Sequence, residues 1–126
     1  MAGPRIDPAS LPSQPGVELH GYVDRLDERL AAADVAMVQG GLATTMELVA
    51  NRRPFLSFPL ERHFEQRLHV AHRLRRYRAG RQMELATADA EAIAGALSEE
   101  LARPIAYRPV RRDGAARAAD VIAELV

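Results

Sequence analysis

Apolar residues recur along this chain in two alternating rhythms, and the alternation predicts its elements. Val17-Glu18-Leu19-His20-Gly21-Tyr22-Val23 switches between apolar and polar and predicts a strand. Leu26, Leu30 and Ala33 then fall at helical spacing, behind Asp24 as a cap with Asp27 three residues on. Val35-Ala36-Met37-Val38 is a short continuous apolar run, the mark of a buried strand. A helix over about 44–51 follows, stopped near Pro54. Pro54 to Pro59 predicts a third strand, with prolines only at its ends, where they are tolerated. Phe64, Leu68, Ala71, Leu74 and Tyr77 mark a long amphipathic helix over 64–78, closed by Ala79-Gly80. Gln82 to Ala86 predicts a fourth strand. Thr87 caps a helix to Leu101, with Ala92, Ile93, Ala96, Leu97 and Leu101 inward. Residues 103–112 are irregular. Asp113 or Gly114 opens a last helix with Ala118, Val121, Ile122 and Leu125 as its apolar face.

Strands that alternate with helices in this way predict an α/β domain, a Rossmann-like parallel sheet with flanking helices. Residues 1–16 stand outside the rhythm. They hold Pro4, Pro8, Pro12 and Pro15, half of the 8 prolines, and predict a proline-rich connector ahead of a domain over 17–126.

Composition narrows the chemistry. The 126 residues carry 17 basic and 17 acidic side chains, a balance that argues against a general nucleic-acid binder. Every basic side chain is arginine, so a lysine-bearing phosphate loop and a Schiff base are excluded. With no cysteine, disulfides, thiol catalysis and thiolate metal sites are excluded as well, and a reducing, cytoplasmic setting is compatible. No apolar run approaches the roughly 20 residues of a membrane span. His69 and His72 lie three apart on one predicted helix, but no third ligand has suitable spacing, so no metal site is expected. The arginines between Arg67 and Arg78 read as the solvated face of an amphipathic helix, with a peripheral contact to anionic lipid or a phosphorylated acceptor as the other reading.

The chemistry concentrates in Gln39-Gly40-Gly41-Leu42-Ala43-Thr44-Thr45-Met46-Glu47, between a predicted strand and a predicted helix. Glycine lets the main chain approach a ligand closely. The first amides of a helix have no internal partner and point outward at the positive end of the dipole. The turn is therefore a candidate diphosphate site, with Glu47, one turn in, as a candidate ribose ligand.

From Val17 to about Leu101, and more loosely through the last helix, the chain resembles the C-terminal, donor-binding half of GT-B glycosyltransferases. It is most similar to the family-28-like group that includes the lipid II-forming N-acetylglucosaminyltransferase. The resemblance rests on the ordered set Gly41, Thr45, Glu47, Pro54, Pro59, Glu65 and Gln66. It implies an inverting transfer of a hexose or N-acetylhexosamine from a UDP-type donor to an acceptor hydroxyl, with no cofactor and no bound metal. Val23 would present its backbone to the base. Gly40, Gly41, Thr44 and Thr45 would face the diphosphate, Glu47 the ribose, and Glu65, Gln66 and His69 the sugar.

The same resemblance marks departures. Gln39 stands where related enzymes carry a phosphate-contacting histidine, Arg52 where a glycine is usual, and His69 where asparagine is frequent. The family's first two strands and its acceptor half, which supplies the catalytic base, have no counterpart here. The domain is thus expected to be incomplete, with Gly3-Pro4-Arg5 as the tail of the second strand and no catalytic residue of its own. Val17–Tyr22 and Val35–Val38 should then either pair directly or leave an open sheet edge. The partners implied are a nucleotide sugar and a missing half or second chain. Two other readings are a non-catalytic nucleotide-sugar-binding subunit completed by a second chain and a fragment of a nucleotide-sugar 2-epimerase. An inert remnant is a third.

Overall fold

The computed structural model describes residues 1–125. Three parallel strands form the sheet: β1 (Ala36–Val38), β2 (Phe55–Ser57) and β3 (Arg81–Gln82), in that spatial order. Ala36, Met37 and Val38 stand opposite Phe55, Leu56 and Ser57, and Leu56 and Ser57 opposite Arg81 and Gln82. The helices are α1 (Leu26–Ala32), α2 (Leu42–Ala50), α3 (Ala71–Tyr77), α4 (Ala90–Ala102) and α5 (Gly114–Ala123). This is the expected Rossmann-like arrangement of a parallel sheet with flanking helices.

β2 is central and wholly buried, and its side chains alternate between two cores. Phe55 belongs with Ala36, Leu48, Val49, Val70 and Leu74, under α2 and α3. Leu56 and Phe58 pack on Ala96 of α4, with Ile93 and Leu97 beside it. Full burial of a side chain such as Phe55 or Leu56 contributes about 2 kcal/mol. Tyr107 closes the first core from the irregular 103–112 stretch. Its hydroxyl donates to Arg53 O at 3.2 Å, and burial pushes its pKa above the usual value.

Several elements differ from their sequence pattern. Residues 17–23 form no strand, because no neighbouring strand lies in register to pair with them. Their ladder stops at two bonds, from Ala2 N to His20 O and from Gly3 N to Gly21 O. Of the two expected outcomes, direct pairing with Val35–Val38 is absent and the open edge is found: β1 carries β2 on one side and no strand on the other among the described residues. The fourth strand shrinks to Arg81–Gln82, because the chain turns away at Leu85–Thr87. Asp24 does not cap α1. Arg25 takes the cap position in a left-handed conformation, and Asp24 accepts from the Arg25 amide instead. Thr87 yields the capping of α4 to Asp89, whose carboxylate accepts from Ala92 N at 2.8 Å.

The long helix over 64–78 begins with a π-helical stretch, Glu65–Val70, and continues as α3. The wider turn rotates the buried face, so Gln66 and Val70 point inward while Phe64 and Leu68 are exposed. In α4, Ala92 and Leu101 lie outside the core that Ala96 anchors. The apolar face of α5 is also outside. Val121, Ile122 and Leu125 are 57%, 62% and 82% exposed.

Candidate functional site

Val38 ends β1, and Gln39-Gly40-Gly41 carries the chain into α2. Gly40 has φ +96°, a conformation that L side chains rarely adopt, and a β-carbon there would lie 3.5 Å from Pro59 Cα. Gly41 caps α2 with extended backbone, no side chain bonds the helix start, and no acidic residue occupies the first turn. The first intrahelical bond runs from Thr45 N to Gly41 O, so the preceding amides have no partner in the helix. An anion there would meet donors that nothing else neutralises.

Thr44 and Glu47 are three residues apart and lie on one face of α2. They line a cavity of about 450 Å³ with Val23, Tyr22, Gly21, Arg25 and Gly3. Three residues expected at the site, Val23, Thr44 and Glu47, thus meet around one space although 24 positions of chain separate the first from the last. The Glu47 carboxylate makes no hydrogen bond among the described residues. It faces the cavity as an acceptor available to hydroxyl groups.

Thr45 takes another position. It is fully buried, and its hydroxyl lies 2.8 Å from Gly41 O and 3.1 Å from Leu42 O. It braces the turn from beneath. Gln66 is also turned inward, and its Oε1 accepts from Leu60 N at 2.9 Å. That bond holds the loop after β2. Glu65 is exposed at the start of the π-helical stretch. His69 stacks edge-on against Phe64, with ring centroids 5.6 Å apart, and lines a groove with His72 and Arg73. The structure therefore does not bring Glu65, Gln66 and His69 into the cavity of Glu47.

A second cleft, about 530 Å³, lies across Gly40 at the carboxyl ends of the three strands. Gln39, Leu60, Glu61 and Glu84 ring it, over an apolar floor of Met37 and Phe58. Ligands in open α/β sheets sit at this end. Sequence reasoning did not assign Leu60, Glu61 or Glu84. Their signal was position alone, since each follows the carboxyl end of a strand. No histidine lines either cleft, and no group of three or more metal-ligating side chains gathers among the described residues. No helix among them is long and apolar enough to cross a membrane.

Residues 6–125 match the model of the glycosyltransferase family 28 C-terminal domain. A protein of Methanosarcina acetivorans described as an uncharacterized glycosyltransferase is 40% identical over 67 residues, which are 52% of this chain and 17% of that protein. A protein of Methanosarcina mazei with the same description is 37% identical over 67 residues, 52% of this chain and 18% of the other. The chain thus spans less than a fifth of these relatives. In fold it is similar to the crystal structure of the glycosyltransferase of kitacinnamycin, with a TM-score of 0.74 and 24% identity, over 97% of this chain and 33% of that one. The uncapped start of α2, the parallel sheet and the match over nearly the whole length agree: the chain belongs to the glycosyltransferase family 28 C-terminal domain family.

Proposed function

We propose that this chain is the donor-binding half of an inverting glycosyltransferase that takes a hexose or N-acetylhexosamine from a UDP-type nucleotide sugar. The observation that carries the reading is the cavity where Thr44 and Glu47 face Val23 beside the uncapped start of α2. The diphosphate lies over Gly41 and the first amides of α2, and Glu47 accepts hydrogen bonds from the ribose. The base rests near Val23. The sugar extends past Gly40 toward the cleft of Gln39 and Leu60, whose loop Gln66 holds in place.

In the transfer, the acceptor oxygen bonds to the anomeric carbon as the bond from that carbon to the diphosphate oxygen breaks. The electron pair of that bond leaves on the diphosphate. The turn lowers the barrier by aiming preset N–H donors at the growing charge. The acceptor proton goes to a base of the acceptor half, as the resemblance to GT-B enzymes implies. A nucleotide-sugar-binding subunit completed by a second chain is the second reading, and the bare outer edge of β1 favours it.

Calorimetric titration with UDP and UDP-sugars tests the donor site. Glu47→Ala should weaken binding by about 1–3 kcal/mol, which is on the order of tenfold to a hundredfold in Kd. A folded chain that binds no nucleotide, or a variant that binds as tightly as the parent, would sink the assignment.

A further inference from the structure

The cleft at the carboxyl ends of the strands is only partly explained by the donor. Its volume of about 530 Å³ is that of a site for a drug-sized molecule. Met37, Phe58, Leu60 and Leu85 line it. Phe58 is buried, whereas Met37, Leu60 and Leu85 are 49%, 44% and 65% exposed. Apolar side chains that converge on one concave space and stay wet mark a binding surface rather than a core. A hexose entering past Gly40 carries hydroxyl groups on every side, so it leaves these side chains in water. The charge of the cleft is one-sided as well. Glu61 and Glu84 line it, and no arginine or histidine does. Glu84 Oε2 accepts from Arg67 at 3.0 Å, but Arg67 lies outside the lining. The Glu61 carboxylate has no partner among the described residues. Both carboxylates sit on anchored loops: Leu60 N donates to Gln66 Oε1 at 2.9 Å, and Met83 N to Ser57 O at 3.0 Å.

We infer that this cleft takes the acceptor, and that the acceptor is an apolar hydroxyl compound carrying a protonated amine. The inference rests on the donor reading above for the reaction, and adds the chemical class of the second substrate. The apolar lining selects a hydrocarbon or aromatic body, because that body and the wet side chains leave water together. Glu61 selects a cation, because an ammonium group donates charge-assisted hydrogen bonds to a carboxylate. A phosphorylated acceptor is the least suited, since its phosphate would face two carboxylates with no cation in the lining. A neutral sugar chain would meet the carboxylates with hydroxyl groups but leave Met37, Phe58 and Leu85 uncovered. The place suits the reaction. Gln39, next to Gly40, lines the cleft, so the acceptor hydroxyl reaches the anomeric carbon from this side of the glycine turn. The amine anchors the acceptor and takes no part in bond making.

The test uses three indoles that share one ring and one hydroxyl: 5-hydroxytryptamine, a cation; 5-hydroxyindole, neutral; and 5-hydroxyindole-3-acetate, an anion. The chain has no tryptophan, so indole emission reports the probe alone. Fluorescence anisotropy with the full chain should rank them cation, neutral, anion, the cation on the order of tenfold tighter than the neutral probe. Rising salt should narrow that gap. Glu61→Gln should bring the cation to the affinity of the neutral probe and leave the neutral probe unchanged. Leu85→Ser should weaken all three several-fold, which places them in this cleft. Both residues are exposed, and circular dichroism should show both variants folded. Should either unfold, the ranking on the parent chain and its salt dependence still decide. Equal binding of the three probes, tighter binding of the anion, no binding at all, or a preference that survives Glu61→Gln overturns the inference. So does loss of the cation in Glu47→Ala with none in Leu85→Ser, which would put it in the donor cavity. No nucleotide is present, so failure here is distinct from failure of the UDP titration.

Discussion

At Gly80 a single hydrogen atom sets the packing of Phe55. The residue has φ +61°, and a β-carbon there would lie 2.4 Å from Phe55 Cζ. Backbone strain and overpacking then act together. Gly80→Ala should destabilise the fold by about 3 kcal/mol in denaturant unfolding. A loss under about 1 kcal/mol would show that the Phe55 ring can move aside. Arg52 presents the opposite bargain. It is left-handed at φ +54° where the family usually has glycine, and it bonds Ile105 O at 2.8 Å. The strain at the exit of α2 thus comes with a tie to the stretch that brings in Tyr107. The sequence marked Gly80 as a helix stop and Arg52 as a departure from a usual glycine. It did not reveal that Thr45 would brace the turn while Thr44 faced the cavity, because adjacent helix residues point about 100° apart and the pattern alone does not set the rotation.

Among the elements, α5 and the π-helical stretch departed most from their patterns, for different reasons. The periodicity over 64–78 is real, and a helix forms. The π turn inserts an extra residue into its rhythm, so the apolar set from Phe64 to Tyr77 cannot all reach one side. In α5 the rhythm is correct and the helix forms where expected, but its apolar face stays mostly exposed. A ten-residue helix without tertiary packing is marginal in water. Amides of Gly114–Ala123 should therefore exchange in the earliest phase of hydrogen exchange, at an opening free energy near zero. Those of Phe55–Ser57 should persist until global unfolding. Slow exchange in α5 would mean that its apolar face is covered in solution.

At the scale of the whole molecule, the sheet is narrow and open. Ala36 N and Val38 O bond toward β2, so the N–H and C=O of Met37 point to the bare side of β1. Unpaired strand edges recruit other strands. Sedimentation velocity should show association that grows with concentration, and Met37→Lys should suppress it by placing a charge on that edge. Association unchanged in the variant would locate the contact elsewhere. The three-strand sheet and the small share of its relatives that the chain spans fit together, for the sheet buries β2 fully and leaves β1 half-finished.

Local chemistry, written in order along the chain, was sufficient to specify the α/β alternation, the central apolar strand at Phe55–Ser57, and the glycine turn leading into α2. Each of these depends on a few neighbouring residues: a period, a proline, a glycine pair before an apolar helix. What the tertiary structure alone decided were the relations between distant stretches. Val23 joins Thr44 and Glu47 around one cavity only because the extended chain before α1 lies beside α2. Residues 17–23 remain outside the sheet because strand formation requires a partner in register, which no local pattern supplies. The irregular 103–112 stretch joins the end of α3 because Arg108 is bonded to Tyr77, across 31 positions of sequence that carry no sign of it.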